Sequence, residues 1–213
     1  MKKRGPKLKL TKRLRIPKNT HELRLKKQGY NFICGLDEVG RGAWAGPLVA
    51  GAVILDKRYY GLRDSKLLKS SDREKLSVKI KKTCLWGIGE VSVEEIDQLK
   101  LTKATQLAFR RAVENLKVQP DFVLSDGFKF DSPLPCLHLI KGDMNCVSIA
   151  AASIVAKVYR DELMRQLDKK INGYDFGIHK GYGTKLHQKC LEKLGPSVHH
   201  RKSYKPIKIL KKP

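Results

Sequence analysis

The stretch FICGLDEVGRGAWAGPLVAGAVIL, Phe32 to Leu55, decides how this chain is read. It starts apolar, and a strand is expected over Asn31–Asp37. That strand delivers two adjacent carboxylates, Asp37 and Glu38, into a glycine-rich turn, Gly40-Arg41-Gly42. After Gly46-Pro47 the chain turns apolar again through Leu48–Leu55, the pattern of a strand buried on both faces. Neighbouring acids repel each other, and glycines weaken regular structure. A hard divalent cation relieves that repulsion, because it takes carboxylate oxygens as ligands.

Outward from that stretch, strands and helices alternate. Ser70 or Ser71 begins an expected helix to about Lys82, and Cys84–Val91 reads as a strand. Ser92 with Glu95 three residues on is a capping box. It opens a short helix to about Leu99, and Thr102 opens another to about Leu116. Phe122–Ser125 is a short strand ending at Asp126-Gly127. Leu137–Ile140 is another, ending at Lys141-Gly142-Asp143. Cys146–Leu167 contains no Gly or Pro and repeats apolar residues at spacings of three and four, which predicts a long buried helix. A loop follows over Gly173–Gly183. Thr184 then caps a last helix to Leu194, closed by Gly195-Pro196. The alternation predicts an α/β fold around one mixed sheet.

The charge is lopsided. Among 213 residues, 45 Lys+Arg stand against 21 Asp+Glu, a net charge of +24 that points to a polyanionic partner. Twelve basic residues and one acid fall in residues 1–30; six basic residues and no acid fall in 199–213. The two ends therefore read as basic arms on a mildly basic domain. The expected division is a tail over 1–22, a catalytic domain over 23–206 with a helical C-terminal part from about 165, and a basic tail over 207–213. The five cysteines are scattered without a CxxC pair, which reads as reduced thiols and not as a disulfide or zinc framework. No apolar run reaches the roughly 18 residues of a membrane span, so no membrane association, a cytoplasmic location and a monomer are expected.

Three places now carry acids where an apolar run stops and a glycine is adjacent or nearly so: Asp37 with Glu38, Asp126, and Asp143. Several converging acids are what two-metal phosphoryl transfer requires. No serine or cysteine nucleophile has a comparable setting. Taken singly, an Asp at a strand end more often serves a turn or a cap, so a non-catalytic nucleic-acid-binding protein and another two-metal nuclease or resolvase stay open on composition alone.

The motifs carry a more specific reading. The stretches GLDEVGRGAWAGPLVAGAVIL (35–55), RDSK (63–66), LSDG (124–127), KGD (141–143), SIAAASIVAKVYRDELM (148–164), HKGYGT (179–184) and HHRKSYKP (199–206) resemble bacterial ribonuclease HII, in family order. The resemblance implies an RNase H-like fold, with a mixed five-stranded sheet flanked by helices and a helical C-terminal part. It implies endonucleolytic cleavage of RNA in RNA–DNA hybrids and at ribonucleotides embedded in duplex DNA, with Mg²⁺ or Mn²⁺. By motif, Asp37, Glu38, Asp126 and Asp143 match the catalytic, metal-binding acids. Gly40, Arg41 and Gly42 match the loop that approaches the ribose, and Tyr182 matches the tyrosine that packs on the sugar. Lys66 and Lys180 are expected phosphate contacts. Asp161 is expected to pair with Lys157 one helical turn away. Trp44 and Trp86 are expected in packing roles, and His179, His187, His199 and His200 on the surface or facing phosphates, not binding zinc.

Overall fold

The computed structural model describes residues 17–55 and 68–210. Residues 1–16, 56–67 and 211–213 lie outside it, and with them Lys66, the RDSK motif and most of the basic arms.

The opening strand forms two residues later than its apolar start suggests. Strand β1 runs Ile33–Val39, because the amides of Asn31 and Phe32 are taken by the Asp121 carboxylate at 2.7 and 3.0 Å. Asp37, Glu38 and Val39 then pair with Gly51, Ala50 and Val49 of β2 (Leu48–Ile54). Both acids therefore lie inside the strand, not beyond its end. With β3 (Leu85–Val91), β4 (Phe122–Asp126) and β5 (Cys136–Leu139) they build a five-stranded sheet in the order β3-β2-β1-β4-β5. β1 pairs antiparallel with β2 and parallel with β4, so the sheet is mixed and β1 is central. All seven residues of β2 are buried.

A helix covers each face. α3 (Val93–Glu114) packs Ile96, Ala108, Phe109 and Ala112 against Cys34, Leu36, Leu48 and Ala50. Its start carries the capping box: Glu95 N–H donates to Ser92 Oγ and Ser92 N–H to Glu95 Oε2. It breaks at Lys100 (φ 64°), where two helices are joined, as the sequence predicts. The other face is covered by α5 (Val147–Lys170). This helix lies unusually close to the sheet. A Cβ on Gly35 would stand 2.2 Å from the Ser148 carbonyl carbon, and one on Gly51 2.5 Å from the Ala152 oxygen. The bare glycines admit the helix backbone, and that approach brings Ser153 onto Asp37.

α1 (Thr20–Lys27) is fastened to the start of α5. Glu22 is buried, and its Oε1 accepts from Ser148 N–H (2.9 Å), Ser148 Oγ (2.8 Å) and Cys146 Sγ (3.1 Å). The packed chain therefore begins before residue 23; at the other end, buried Ile207 carries it past residue 206. α2 (Ser70–Thr83) packs on α5 through Ile80. The short α4 (Gly142–Asn145) leads into α5. The C-terminal part is α6 (Phe176–His179), α7 (Lys185–Leu194, its cap the Thr184 hydroxyl) and α8 (Lys205–Ile209).

The C-terminal part holds the loop after β1. Ala43 bridges Tyr182 and Ala45 bridges His200, so residues 43–46 lie as an extended segment between 181–182 and 199–201. Trp44 N–H donates to Gly181 O at 2.7 Å, and Arg201 N–H to Trp44 O at 2.8 Å.

Candidate active site

Side chains alternate across a strand. Asp37 therefore faces α5, and Glu38 faces the opposite side of the sheet. Asp37 is buried and its carboxylate accepts from Glu38 N–H (2.8 Å) and from the Ser153 hydroxyl. On β4, Asp126 stands one residue beyond the Leu36–Ser125 pair, level with Asp37 on the neighbouring strand. Its Oδ1 accepts from Gly142 N–H at 2.7 Å, which draws α4 onto the strand end. Asp143 is buried in the first turn of α4. It is thus a helix residue, where a strand-end residue was expected, because β5 stops at Leu139.

Burial first, then the Glu38 carboxylate, hold the Asp37 carboxyl well above the usual carboxylate range. The Ser153 hydrogen bond opposes the shift, while Asp126 and Asp143 add to it. Acids from β1, β4 and α4 therefore all act electrostatically on the Asp37 carboxyl. Among the described residues no three acid, histidine or cysteine side chains are drawn into a closed ligand cluster. The donor set still fits a hard divalent cation: it consists of carboxylate oxygens, and like charges this close favour an added cation. Asp37, Glu38, Asp126 and Asp143 would hold it.

A cavity of about 470 Å³ opens over these acids, lined by Asp37, Glu38 and Asp126, by Gly40, Arg41 and Gly42, and by Tyr182 on its far wall. Arg41 is fixed in place: its guanidinium lies over the Phe128 ring at 3.8 Å, donates to Thr105 Oγ1 at 3.2 Å and approaches Glu38 Oε1 at 3.7 Å. Lys180 is placed otherwise than a phosphate contact at this cavity. Its Nζ donates to the Gly177 carbonyl, and it does not line the cavity wall. Lys157 and Arg73 line it instead. Lys157 pairs with Asp161 at 2.6 Å, as expected from their spacing.

Two fully buried arginines stand behind the loops. Arg160 donates to the carbonyls of Pro47 (2.8 Å), Lys180 (2.9 Å) and Ala45 (3.1 Å). Arg201 donates to those of Gly46, Pro47 and Arg41 and to Tyr204 Oη. Burial pulls the Arg160 guanidinium down to about 10, which leaves it charged at neutral pH. Both were missed in the sequence, as were Ser153 and Arg73. A signal existed for Ser153 and Lys157: they lie four residues apart on the face of the alanine-rich helix that meets Asp37.

The histidines correct the expectation of a surface position. His179, His187 and His200 are buried, because α6, α7 and the 197–200 turn fold their three rings into one cluster. His199 is half-exposed. Trp44 packs beside His187, as expected of a packing residue. The five cysteines are free thiols, and burial pushes Cys34 up to about 12.

A sequence profile of the family described as Ribonuclease HII matches residues 34–207. The chain belongs to the ribonuclease HII family. A ribonuclease HII from Chlamydia muridarum is 49% identical over 197 residues, which cover 90% of each chain. Among solved structures, the ribonuclease H2 of Pyrococcus horikoshii OT3 superposes with a TM-score of 0.71 at 23% identity, over 84% of this chain and 97% of that one. A Bst ribonuclease HIII in complex with Mn²⁺ superposes with a TM-score of 0.63 at 20% identity, over 84% of this chain and 68% of that one. At these identities the two structures speak for the fold, and they share the mixed sheet with its flanking helices. The chain is thus an enzyme of the ribonuclease HII class, an endoribonuclease that hydrolyses phosphodiester bonds with a divalent metal.

Proposed function

We propose that this chain hydrolyses the RNA strand of RNA–DNA hybrids and nicks duplex DNA at embedded ribonucleotides, leaving 3′-hydroxyl and 5′-phosphate ends. The observation that carries the reading is the shared cavity: acids from two strands and the Gly40-Arg41-Gly42 loop line it together with Tyr182. A ribonucleotide differs from its DNA neighbours by a 2′-hydroxyl, which both donates and accepts. In this reading the backbone of residues 40–42 meets that hydroxyl, and the Tyr182 ring packs on the sugar. Asp37, Glu38, Asp126 and Asp143 hold Mg²⁺ or Mn²⁺, with Mn²⁺ seen in the Bst ribonuclease HIII structure. When bound, such ions would supply an activated water and neutralise the leaving oxygen. The chain's own part is to orient: Ser153 fixes the Asp37 carboxylate, Gly142 N–H fixes Asp126, and Lys157 and Arg73 offer positive charge to the phosphates. Lys66 adds a further phosphate contact in the same proposal. The remaining basic surface suits a polyanionic duplex, and among the described residues no helix is long and apolar enough to cross a membrane. We place the protein in the cytoplasm as a monomer, with a catalytic unit that includes α1 and α8 and basic tails outside it.

The test offers three duplexes: DNA with one ribonucleotide, all-DNA, and an RNA–DNA hybrid, each with Mg²⁺, Mn²⁺ or chelator. Metal-dependent cutting of the two ribonucleotide-containing substrates alone is expected. Cutting of plain DNA, or binding without cleavage, sinks the proposal. Asp126→Asn should lower turnover by about 10²–10³-fold, in the range of lost electrostatic groups, with binding in chelator nearly unchanged. Wild-type turnover in that variant removes Asp126 from the site.

A further inference from the structure

Tyr182 sits on a loop whose hold does not come from the sheet. Its carbonyl accepts from Thr184 N–H (2.7 Å) and lies 3.0 Å from His187 Nδ1. His187 in turn lies 3.0 Å, Nε2 to Nε2, from His200, and its ring stacks on His179 with centroids 4.2 Å apart and planes at 13°. All three rings are buried.

Fixed backbone donors decide where every proton sits. Ser197 N–H donates to His200 Nδ1 at 2.9 Å, so the His200 proton is on Nε2. His187 Nε2 must then accept it, which leaves His187 with its proton on Nδ1, donating to the Tyr182 carbonyl. Gly181 N–H donates to His179 Nδ1 at 3.1 Å, so His179 carries its proton on Nε2 and donates to Tyr174 O at 2.6 Å. One neutral assignment satisfies all of these bonds. A proton added to His187 would set two N–H donors facing each other across 3.0 Å. Consistent with this, burial pulls His187 and His200 down to about 4.

We propose that His179, His187 and His200 are positioning residues that set the Tyr182 loop, and through it substrate affinity, by a neutral hydrogen-bonded stack with defined tautomers. The inference rests on the reading of Tyr182 as the sugar-packing residue. The network runs from the Ser197 amide through His200 and His187 to the Tyr182 carbonyl. It spans the turn after α7, α7 itself and the loop after α6, three segments that also flank the extended residues 43–46. None of the three histidines lines the cavity, so none touches substrate.

Two measurements test it. Long-range ¹H–¹⁵N spectra of the folded protein at pH 7 should show His187 as the Nδ1–H tautomer and His179 and His200 as Nε2–H tautomers. A different pattern, or a cationic ring, overturns the network without reference to any substrate. The second is a double-mutant cycle. His187→Gln places its amide where Nε2 was and loses the donor to Tyr182; His187→Asn keeps a donor at the Nδ1 position. His187→Gln should raise KM for the single-ribonucleotide duplex, and Kd for it in chelator, about tenfold with kcat changed less, while His187→Asn restores most of the affinity. In a Tyr182→Ala background the His187→Gln effect should vanish. An equal loss in both backgrounds, or an unchanged Kd in folded His187→Gln, means a purely structural stack and overturns the proposal. Because Kd is read without cleavage, a wild-type protein that binds but does not cut refutes the proposed activity while leaving this test intact.

Discussion

Gly40 and Gly42 flank Arg41 and are glycine for opposite reasons. Gly40 has φ +93°, and a Cβ there would stand 2.2 Å from Arg160 Nε. Its side chain is excluded from within. Gly42 has no positive φ, and a Cβ there would meet nothing within 4 Å. The fold does not ask for glycine at residue 42; in the proposed reading the demand comes from the ribonucleotide that enters the cavity. Gly42→Ala should leave the unfolding free energy within about 0.5 kcal/mol and weaken binding of the ribonucleotide-containing duplex several-fold. Gly40→Ala should lose stability, since it must strain the backbone and displace a buried arginine. Chemical denaturation and duplex titration of the two variants decide it; a Gly42→Ala variant that binds normally leaves the loop without a reading role. The carboxylates were legible in the sequence because each stands where an apolar run stops with a glycine adjacent or close by. Arg160 and Arg201 were not, because their partners are carbonyls of Arg41, Ala45, Gly46, Pro47 and Lys180, and a carbonyl leaves no mark in a sequence. The histidines were misread for a related reason: 179, 187 and 200 fit no period, and only the folding of three segments brings them together.

Among the elements, α5 does most to assemble the site. It meets the sheet over Gly35 and Gly51, carries Ser153 and Lys157 to the acids, and delivers Arg160 behind the loops. Its first turn is held from outside by Glu22 of α1, a carboxylate at a helix N-terminus, where the helix dipole favours negative charge. Glu22→Ala would leave the Ser148 amide, the Ser148 hydroxyl and the Cys146 thiol buried without this acceptor. The expected cost is about 2–3 kcal/mol, read as a lower denaturation midpoint at unchanged slope. A loss below about 0.5 kcal/mol would mean that α1 is not coupled to the core. The long apolar period of α5 and the capping box of α3 made both helices legible, and the break near Lys100 follows from the change of pattern between Leu99 and Thr102. The strand ends were less legible. Asp121, ninety residues from Asn31, delays the start of β1, and pairing with β2 extends its end past both acids.

At the scale of the whole molecule, the histidine stack makes folding depend on pH in a predictable direction. His187 and His200 have their ordinary value near 6.5 in the unfolded chain and about 4 in the fold. The unfolded chain therefore binds more protons between these values, and stability rises with pH across that window. The contribution is fully present above about pH 6.5 and is lost progressively as pH falls toward 4. Other charges act on the same rings: Asp168, Asp175 and Lys180 reach His179, and His199 reaches His200. Carboxylates elsewhere titrate in the lower part of the window too, so the stack must be isolated by difference. His200→Gln keeps an N–H donor toward His187 and removes one ionisable ring. Its unfolding free energy, measured from pH 8 to pH 4, should fall less steeply than that of the wild type below pH 6.5, and the two curves should run parallel above it. Equal slopes throughout would mean that the rings pick up protons as readily in the fold as outside it, and that the neutral stack does not hold these three segments together.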